Sequence, residues 1–111
     1  MTSKFEMSGA TVTWNPIPQG TAGTFSAPVP TERGKQPYRL AKWKGEPGKY
    51  DRPAGMPWSE TFVVYKGRGR VRDGDEVVEF SPGVVIELRK GVPYVLEIDE
   101  TLEKFAVITT E

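Results

Sequence analysis

The fold of this chain is decided by the segment Glu60-Thr-Phe-Val-Val-Tyr-Lys-Gly67. A run so rich in β-branched and aromatic residues is typical of a strand, and the glycine ends the run. Because side chains alternate between the two faces of a strand, Glu60, Phe62 and Val64 share one face. The segment therefore predicts a strand that carries one carboxylate on an otherwise apolar face.

Further short strands are predicted on both sides of this segment, separated by turn residues such as Gly, Pro and Asp. Asp99–Glu103 is the one segment that could form a helical turn. Many short strands with almost no helix predict an antiparallel sandwich or barrel. The predicted strands are Thr11–Trp14, Thr24–Ala27, Tyr38–Trp43, Lys49–Asp51, Arg68–Arg72, Glu76–Phe80, Val84–Leu88, Tyr94–Ile98 and Lys104–Thr109.

The residues Asp73-Gly74-Asp75 indicate a hairpin between two of these strands. A two-residue turn would face Val71 with Glu76. A three-residue loop faces Val71 with Val77, which pairs two apolar side chains, and it also pairs Arg72 with Glu76. We therefore expect the three-residue loop.

Composition divides the 111-residue chain near Tyr38. Before that point, prolines interrupt anything longer than a short strand. We expect one structural domain, in which residues 1–37 form a Pro-rich extended N-terminal arm with short edge strands and residues 38–111 form a β-barrel. A chain of this size buries only about 60–65% of its unfolded surface, so we expect a homodimer. The prolines of the arm are Pro16, Pro18, Pro28, Pro30 and Pro37.

Charge and residue types exclude several classes of function. The 15 basic and 15 acidic residues balance, so we expect neither nucleic acid nor a membrane as a partner. The chain has no cysteine and no histidine, which excludes disulfides, thiol chemistry and imidazole catalysis. No apolar run reaches the length of a membrane span or a signal peptide, so we expect a cytoplasmic protein.

Three alternating arginines, Arg68, Arg70 and Arg72, share one face of their predicted strand. Such a stripe can bind an anion or nucleic acid. Acidic residues on the same hairpin favour the alternative, a salt-bridged and solvated face.

Five residues of this chain are spaced in a way that resembles the first motif of the cupin family. Gly48 is followed after five residues by Ala54, then by Met56, Glu60 and Gly67 at the family's intervals. The family has histidines at the positions of Ala54 and Met56 and a glutamate at that of Glu60. The resemblance implies a small jelly-roll barrel, also called a double-stranded β-helix.

The second cupin motif resembles the segment Gly83-Val-Val-Ile-Glu-Leu-Arg-Lys-Gly91-Val-Pro-Tyr94. Tyr94 stands where the family has its third metal-binding histidine. The closing segment Glu103–Ile108 is similar to that of small single-domain cupins grouped with ureidoglycine aminohydrolase and ethanolamine-utilisation proteins. Members of that group frequently carry an aromatic residue at the position of Tyr94.

A metal cofactor is not expected, although the family's usual site holds a transition metal on three imidazoles and one carboxylate. Ala54, Met56 and Tyr94 replace the imidazoles, and a lone carboxylate supplies too few ligands. We therefore predict a protein without metal or other cofactor, whose interior holds Glu60 as a solitary acid.

Glu60 and Tyr94 are the candidate catalytic residues, since the resemblance places them across the cavity from each other. Glu60 can act as an acid, a base or a hydrogen-bond anchor, and Tyr94 can donate to a developing oxyanion. The alternatives are a buried glutamate held by an arginine or a tyrosine, and a tyrosine that only fills volume. The candidate ligand-binding residues are Ala54 and Met56 on an apolar floor, Phe62 inside the barrel, and Trp58, Tyr50 and Arg52 on loops near its mouth.

The function predicted from these residues is metal-independent binding of a small organic molecule inside the barrel. Catalysis, if present, would be acid/base chemistry such as isomerisation, dehydration or hydrolysis of an imine or enamine. The alternative is a non-catalytic binding, sensing or accessory protein. The sequence does not decide whether the protein is an enzyme.

Overall fold

The computed structural model describes residues 14–17, 24–28 and 38–109, and every regular element in these ranges is a strand. The predicted all-β fold is confirmed. The described ranges accordingly contain no helix with the length and apolarity of a membrane span. The strands are β1 (Asn15–Pro16), β2 (Thr24–Pro28), β3 (Arg39–Gly45), β4 (Gly48–Arg52), β5 (Ser59–Asp73), β6 (Glu76–Phe80), β7 (Val85–Leu88) and β8 (Tyr94–Thr109).

Two long strands organise the fold. β5 has 15 residues and β8 has 16, and they pair antiparallel from Ser59↔Thr109 to Arg72↔Val95. In one half of the molecule β3 flanks β8 and β7 flanks β5. In the other half β4 flanks β8 and β6 flanks β5. The two halves therefore form two antiparallel layers that share their central strands.

A single hydrophobic core joins the two layers. One layer supplies Phe62, Val64, Ile86, Ala106 and Ile108. The other supplies the rest of the same buried cluster, which consists of Tyr50, Val71, Phe80, Leu96 and Ile98, with Leu102 near the middle of β8. Burial of these apolar side chains is the main favourable term in folding. The interior between the layers is the place where a functional side chain can be shielded from water.

Gly67 continues β5, although the sequence predicted that it would end the strand. Its φ of +99° lies in a region that glycine tolerates, and the pairing with β8 shifts register around it. The buried positions change there from Glu60, Phe62 and Val64 to Gly69 and Val71. This bulge lets one strand line both layers, so the two predicted strands are one.

Asp99–Glu103 is also strand, and the helical turn that its sequence permits does not form. This segment lies within β8 and passes the bulge of β5, with Lys66 paired to Glu103 and Arg68 to Glu100. Its acidic side chains face solvent or basic partners on β5, and Leu102 is fully buried. Cross-strand pairing therefore overrides the local preference for a turn.

The hairpin between β5 and β6 has a two-residue turn, and the predicted three-residue loop is wrong. Asp73 pairs with Glu76, Arg72 with Val77 and Val71 with Val78. Gly74 has a φ of +59° at the first central position, which suits a tight primed turn whose twist matches that of the strands. The register predicted from apolar and charged partners was therefore overridden by turn geometry.

β2 attaches the N-terminal part of the chain to the sheet, since Thr24–Pro28 pairs with Ala41–Gly45 of β3. β1 in turn pairs with β2. The predicted strand Thr24–Ala27 is confirmed. Of the predicted strand Thr11–Trp14, only Trp14 lies in the described part of the chain, directly before β1. The division at residues 37 and 38 stays a prediction.

We predict that Gly67→Ala destabilises the protein far more than Gly74→Ala. A Cβ at residue 67 would lie 2.3 Å from the Thr101 carbonyl oxygen, whereas one at residue 74 meets no atom within 4 Å. Both residues have positive φ, so the backbone strain of about 1–2 kcal/mol is common to both variants. Chemical denaturation should show a further loss of about 1–3 kcal/mol for Gly67→Ala. Equal losses in the two variants would contradict the bulge as the hinge of the fold.

Candidate functional site

Glu60 lies inside the protein near the start of β5. It is 8% exposed, and its strand neighbours are Ile108 on β8 and Leu88 on β7. Phe62 and Val64 are buried on the same face, as the alternation predicted. The sequence therefore correctly placed a carboxylate among apolar side chains.

Lys104 makes an ion pair with this carboxylate, through a hydrogen bond from its Nζ to Glu60 Oε2. Lys104 lies on β8 opposite Val64 and is 6% exposed. The Lys104 side chain extends through the interior to Glu60, and its Nζ lies 4.0 Å from the centre of the Phe62 ring. The expectation of a solitary acid is therefore wrong, since Glu60 has a buried counter-charge.

The ammonium group of Lys104 is surrounded by favourable partners. Besides Glu60 and the Phe62 ring, the ring of Trp43 lies 5.0 Å from Nζ. Aromatic faces attract a cation most strongly where water is excluded. The ion pair is therefore enclosed by aromatic rings inside the protein.

Trp58 binds the second oxygen of the carboxylate. Its indole Nε1 donates to Glu60 Oε1 at 3.3 Å, and the guanidinium of Arg39 lies 5.2 Å from the centre of its ring. Trp58 is half-buried and Arg39 is exposed. Both oxygens of Glu60 therefore have hydrogen-bond donors, and the Arg39 guanidinium lies against the outer side of Trp58.

Tyr94 and Arg52 face each other as direct cross-strand partners on β8 and β4. Burial is the main cause that raises the pKa of Tyr94 from 10.0 to about 12, and the charge of Glu60 adds to it. The charge of Arg52 and its hydrogen bond to the phenol oppose the rise in this pKa. Tyr94 is therefore a neutral phenol at physiological pH and can donate a hydrogen bond beside Glu60.

The rim at this end of the barrel consists of two loops, residues 53–58 between β4 and β5 and residues 89–93 between β7 and β8. Hydrogen bonds hold this rim together. The Gly91 N–H donates to the Met56 carbonyl at 3.0 Å, and the Lys90 N–H donates to Ser59 Oγ at 3.0 Å. Gly55 has a φ of +66° and approaches the backbone of Val92 so closely that a Cβ would meet its carbonyl oxygen at 2.6 Å. The rim next to Glu60 therefore has a defined shape.

The remaining candidate residues are dispersed. Met56 is half-buried on the rim, whereas Ala54 is exposed and is not brought to Glu60 by any described contact. Tyr50, expected on a loop near the mouth, is instead buried on β4 in the core. Its hydroxyl donates to the Glu46 carbonyl at 2.7 Å, and its ring meets Trp43 edge to face. β4 contains the short strand predicted at Lys49–Asp51, so that strand is confirmed, and the placement of Tyr50 on a loop near the mouth is wrong.

A groove of about 520 Å³ passes close to Glu60 on the outside of the molecule. Its lining includes Glu60 together with Ser59, Thr61 and Val107. Because side chains alternate along β5, Ser59 and Thr61 point away from the face that carries the Glu60 carboxylate. The groove therefore follows the outer face of β5, opposite the face of the interior site.

The donor set does not fit the metal that the cupin resemblance implies. Ala54 has no donor atom in its side chain, Met56 offers only a thioether, and the Glu60 carboxylate is already paired with the ammonium of Lys104. No group of three or more Asp, Glu, His or Cys side chains in the described ranges could hold a metal ion. First-row transition metals need several N, O or S ligands at one point, and these residues do not supply them.

The arginine stripe has acidic partners, as the salt-bridged alternative predicted. Arg68 pairs with Glu100 at 3.5 Å, and Arg72 with Glu97 at 2.6 Å. Arg70 contacts Glu79 and Glu97, each at 3.4 Å, and also Asp99. Most of these partners lie on β8, whereas the sequence predicted partners on the hairpin.

Three residues of the site were not predicted from the sequence: Lys104, Trp43 and Arg39. β8 carries apolar side chains on both faces around Lys104, so alternation alone does not show which face is interior. A lysine is then assigned to solvent by default. Lys104 is two residues before Ala106 and four before Ile108, both of which are buried. This spacing places all three side chains on one face of β8 and could have shown that Lys104 is interior.

Comparison with known proteins now identifies the class. Residues 31–106 match the family of EutQ-like cupin domains, so the chain belongs to that family. No curated protein matches the chain significantly.

Solved structures show the same fold at low sequence identity. A putative ethanolamine utilization protein Q from Salmonella typhimurium LT2 is 15% identical with a TM-score of 0.67, covering 78% of this chain and 69% of that one. The polyketide cyclase RemF from Streptomyces resistomycificus is 19% identical with a TM-score of 0.74, covering 100% and 81%. An ectoine synthase from P. lautus is 15% identical with a TM-score of 0.70, covering 81% and 66%. The predicted cupin fold is confirmed.

We predict that breaking the interior ion pair costs far more than breaking an exposed one. Lys104→Met leaves Glu60 buried without its counter-charge and should lower the free energy of unfolding by about 3–5 kcal/mol. Lys66→Met removes the ion pair to Glu103, in which the lysine side chain is 64% exposed, and should cost at most about 1 kcal/mol.

A double variant that lacks both charges guards against the single variant failing to fold. Glu60→Leu combined with Lys104→Met removes both charges, so it should be more stable than Lys104→Met alone. Urea denaturation measures all four proteins. A Lys104→Met loss no larger than that of Lys66→Met would show that the pair is not buried in solution.

We also predict a pH dependence caused by Tyr94. Between about pH 10 and 12 the unfolded chain releases the tyrosine proton while the folded chain keeps it, so the free energy of unfolding falls as the pH rises. Burial and Glu103 also raise the pKa of Tyr65, which adds to the fall. The free energy of unfolding of Tyr94→Phe should therefore fall less steeply with rising pH than that of the wild type, as measured by urea denaturation at each pH. Identical slopes would contradict the buried phenol.

Proposed function

We propose that this cupin domain binds a small organic molecule next to the Glu60–Lys104 pair, without a metal ion. The observation that carries the proposal is the presence of two opposite charges in the interior of a small barrel. Removing both charges from water costs several kcal/mol per ion, and an apolar pair of similar volume often stabilises a protein as well. Recognition of a ligand is a reason for keeping such a pair.

Lys104 supports the metal-independent form of the proposal. Its ammonium presents a fixed positive charge beside the carboxylate that a metal-binding cupin would use as a ligand. A cation held by Glu60, Phe62 and Trp43 supplies a positive charge near the ligand without the ligand count that a metal requires. The protein therefore has its own cation at this position.

Non-catalytic binding is favoured over proton transfer by the state of Glu60. Both of its oxygens accept hydrogen bonds, from Lys104 and from Trp58. A carboxylate held in this way binds and orients a ligand more readily than it abstracts a proton.

Acid/base catalysis is the second candidate, favoured by the position of Tyr94 beside Glu60. A neutral phenol can donate to an oxyanion while Glu60 and Lys104 exchange a proton with the substrate. Known proteins of this fold include a polyketide cyclase and an ectoine synthase, so the fold is compatible with small-molecule substrates.

The test is a thermal-shift screen of the full chain against small metabolites, with EDTA or with added divalent metals. We expect hits whose stabilisation persists in EDTA and disappears in the double variant Glu60→Leu with Lys104→Met. Lys66→Met serves as the matched control and should keep the stabilisation. Hits that need a divalent metal, or that survive in the double variant, would refute the proposal. Turnover of a hit that is lost in Glu60→Gln would favour the catalytic candidate.

A further inference from the structure

The charges around the interior site do not balance. Two cationic side chains lie there, Lys104 on Glu60 and Arg52 opposite Tyr94, against the one carboxylate of Glu60. Arg39 is exposed and lies on the outer side of Trp58. Two positive charges minus one negative charge leave an excess of +1 among these interior side chains, although the whole chain is neutral. Tyr94 adds no charge at physiological pH. The site therefore favours a ligand with negative charge.

The three cations differ in what they can offer to a ligand. Lys104 is enclosed by Glu60 and two aromatic rings and is 6% exposed. Arg39 is exposed and rests on the ring of Trp58. Arg52 is half-buried on β4, beside the phenol of Tyr94. Arg52 is therefore the cation that is both sheltered and within reach from the rim.

Arg52 and Tyr94 together match a carboxylate. A guanidinium presents five N–H donors in a planar fork and binds carboxylates with two parallel hydrogen bonds. Of the Arg52 donors, Nη1 bonds the neighbouring Asp51 carbonyl at 3.3 Å and another bonds the Tyr94 phenol oxygen, and the remaining N–H groups of the fork are left for a ligand. The phenol O–H supplies a further donor from the facing strand.

We propose that the bound molecule is a small organic monoanion whose carboxylate is held by Arg52 and Tyr94 at the rim. The rest of the molecule extends toward the Glu60–Lys104 pair. This inference rests on the proposed function and names the class of its ligand. The negative charge of Glu60 near Tyr94 disfavours a dianion such as a phosphate monoester, so a single carboxylate is the better match.

The experiment compares acids with their own amides, which have nearly the same shape and no charge. Benzoate and benzamide, and propionate and propionamide, are titrated into the ¹⁵N-labelled full chain, and backbone shifts give the dissociation constants. We expect each acid to bind at least about tenfold more tightly than its amide. The shifts should centre on β4 and on the start of β8.

Variants identify the residues responsible. Arg52→Gln should abolish the preference for the acid, and Tyr94→Phe should weaken acid binding several-fold. Arg68→Gln removes the same charge from an exposed ion pair with Glu100 and should change nothing. An unchanged preference in Arg52→Gln would overturn the inference.

The outcomes separate this inference from the proposed function. If the amides or small amines bind as well as the acids and the double variant Glu60→Leu with Lys104→Met loses that binding, the inference fails and the proposed function stands. If no acid, amide or amine binds, both fail.

Discussion

The charge pair between Glu60 and Lys104 is the interaction on which the rest of the site depends. Each partner is almost fully buried, and each is stabilised by the other. Water is replaced around the ammonium by two aromatic rings and around the carboxylate by an indole N–H. Since a buried charge without a partner is very costly, the position of either residue constrains the position of the other. Trp58, Tyr94 and Arg52 are arranged around this constraint.

The fold brings the pair together through its two long strands. Glu60 lies near the start of β5 and Lys104 in the second half of β8, and the antiparallel pairing places both on the same inner face. The bulge at Gly67 then turns the remaining part of β5 so that Gly69 and Val71 face the interior of the other layer. One pair of strands therefore lines the whole interior, and the site occupies one end of it.

Much of this arrangement could be predicted from the sequence, where periodicity and spacing are unambiguous. Strict alternation placed Glu60, Phe62 and Val64 inside, and glycine spacing indicated the family. Lys104 could not be placed in the same way, because β8 is apolar on both faces and a lysine is ordinarily exposed. Gly67 was read as a stop because local sequence does not distinguish a bulge from a turn.

Exchange of the Lys104 ammonium protons with water tests the central claim most directly. In protein labelled with ¹⁵N-lysine, the side-chain signal of Lys104 can be assigned by its loss in Lys104→Arg. The account predicts that its protons exchange at least about tenfold more slowly than those of the exposed Lys66. An exchange rate for Lys104 equal to that of Lys66 would show that its ammonium lies in water, and it would contradict the account.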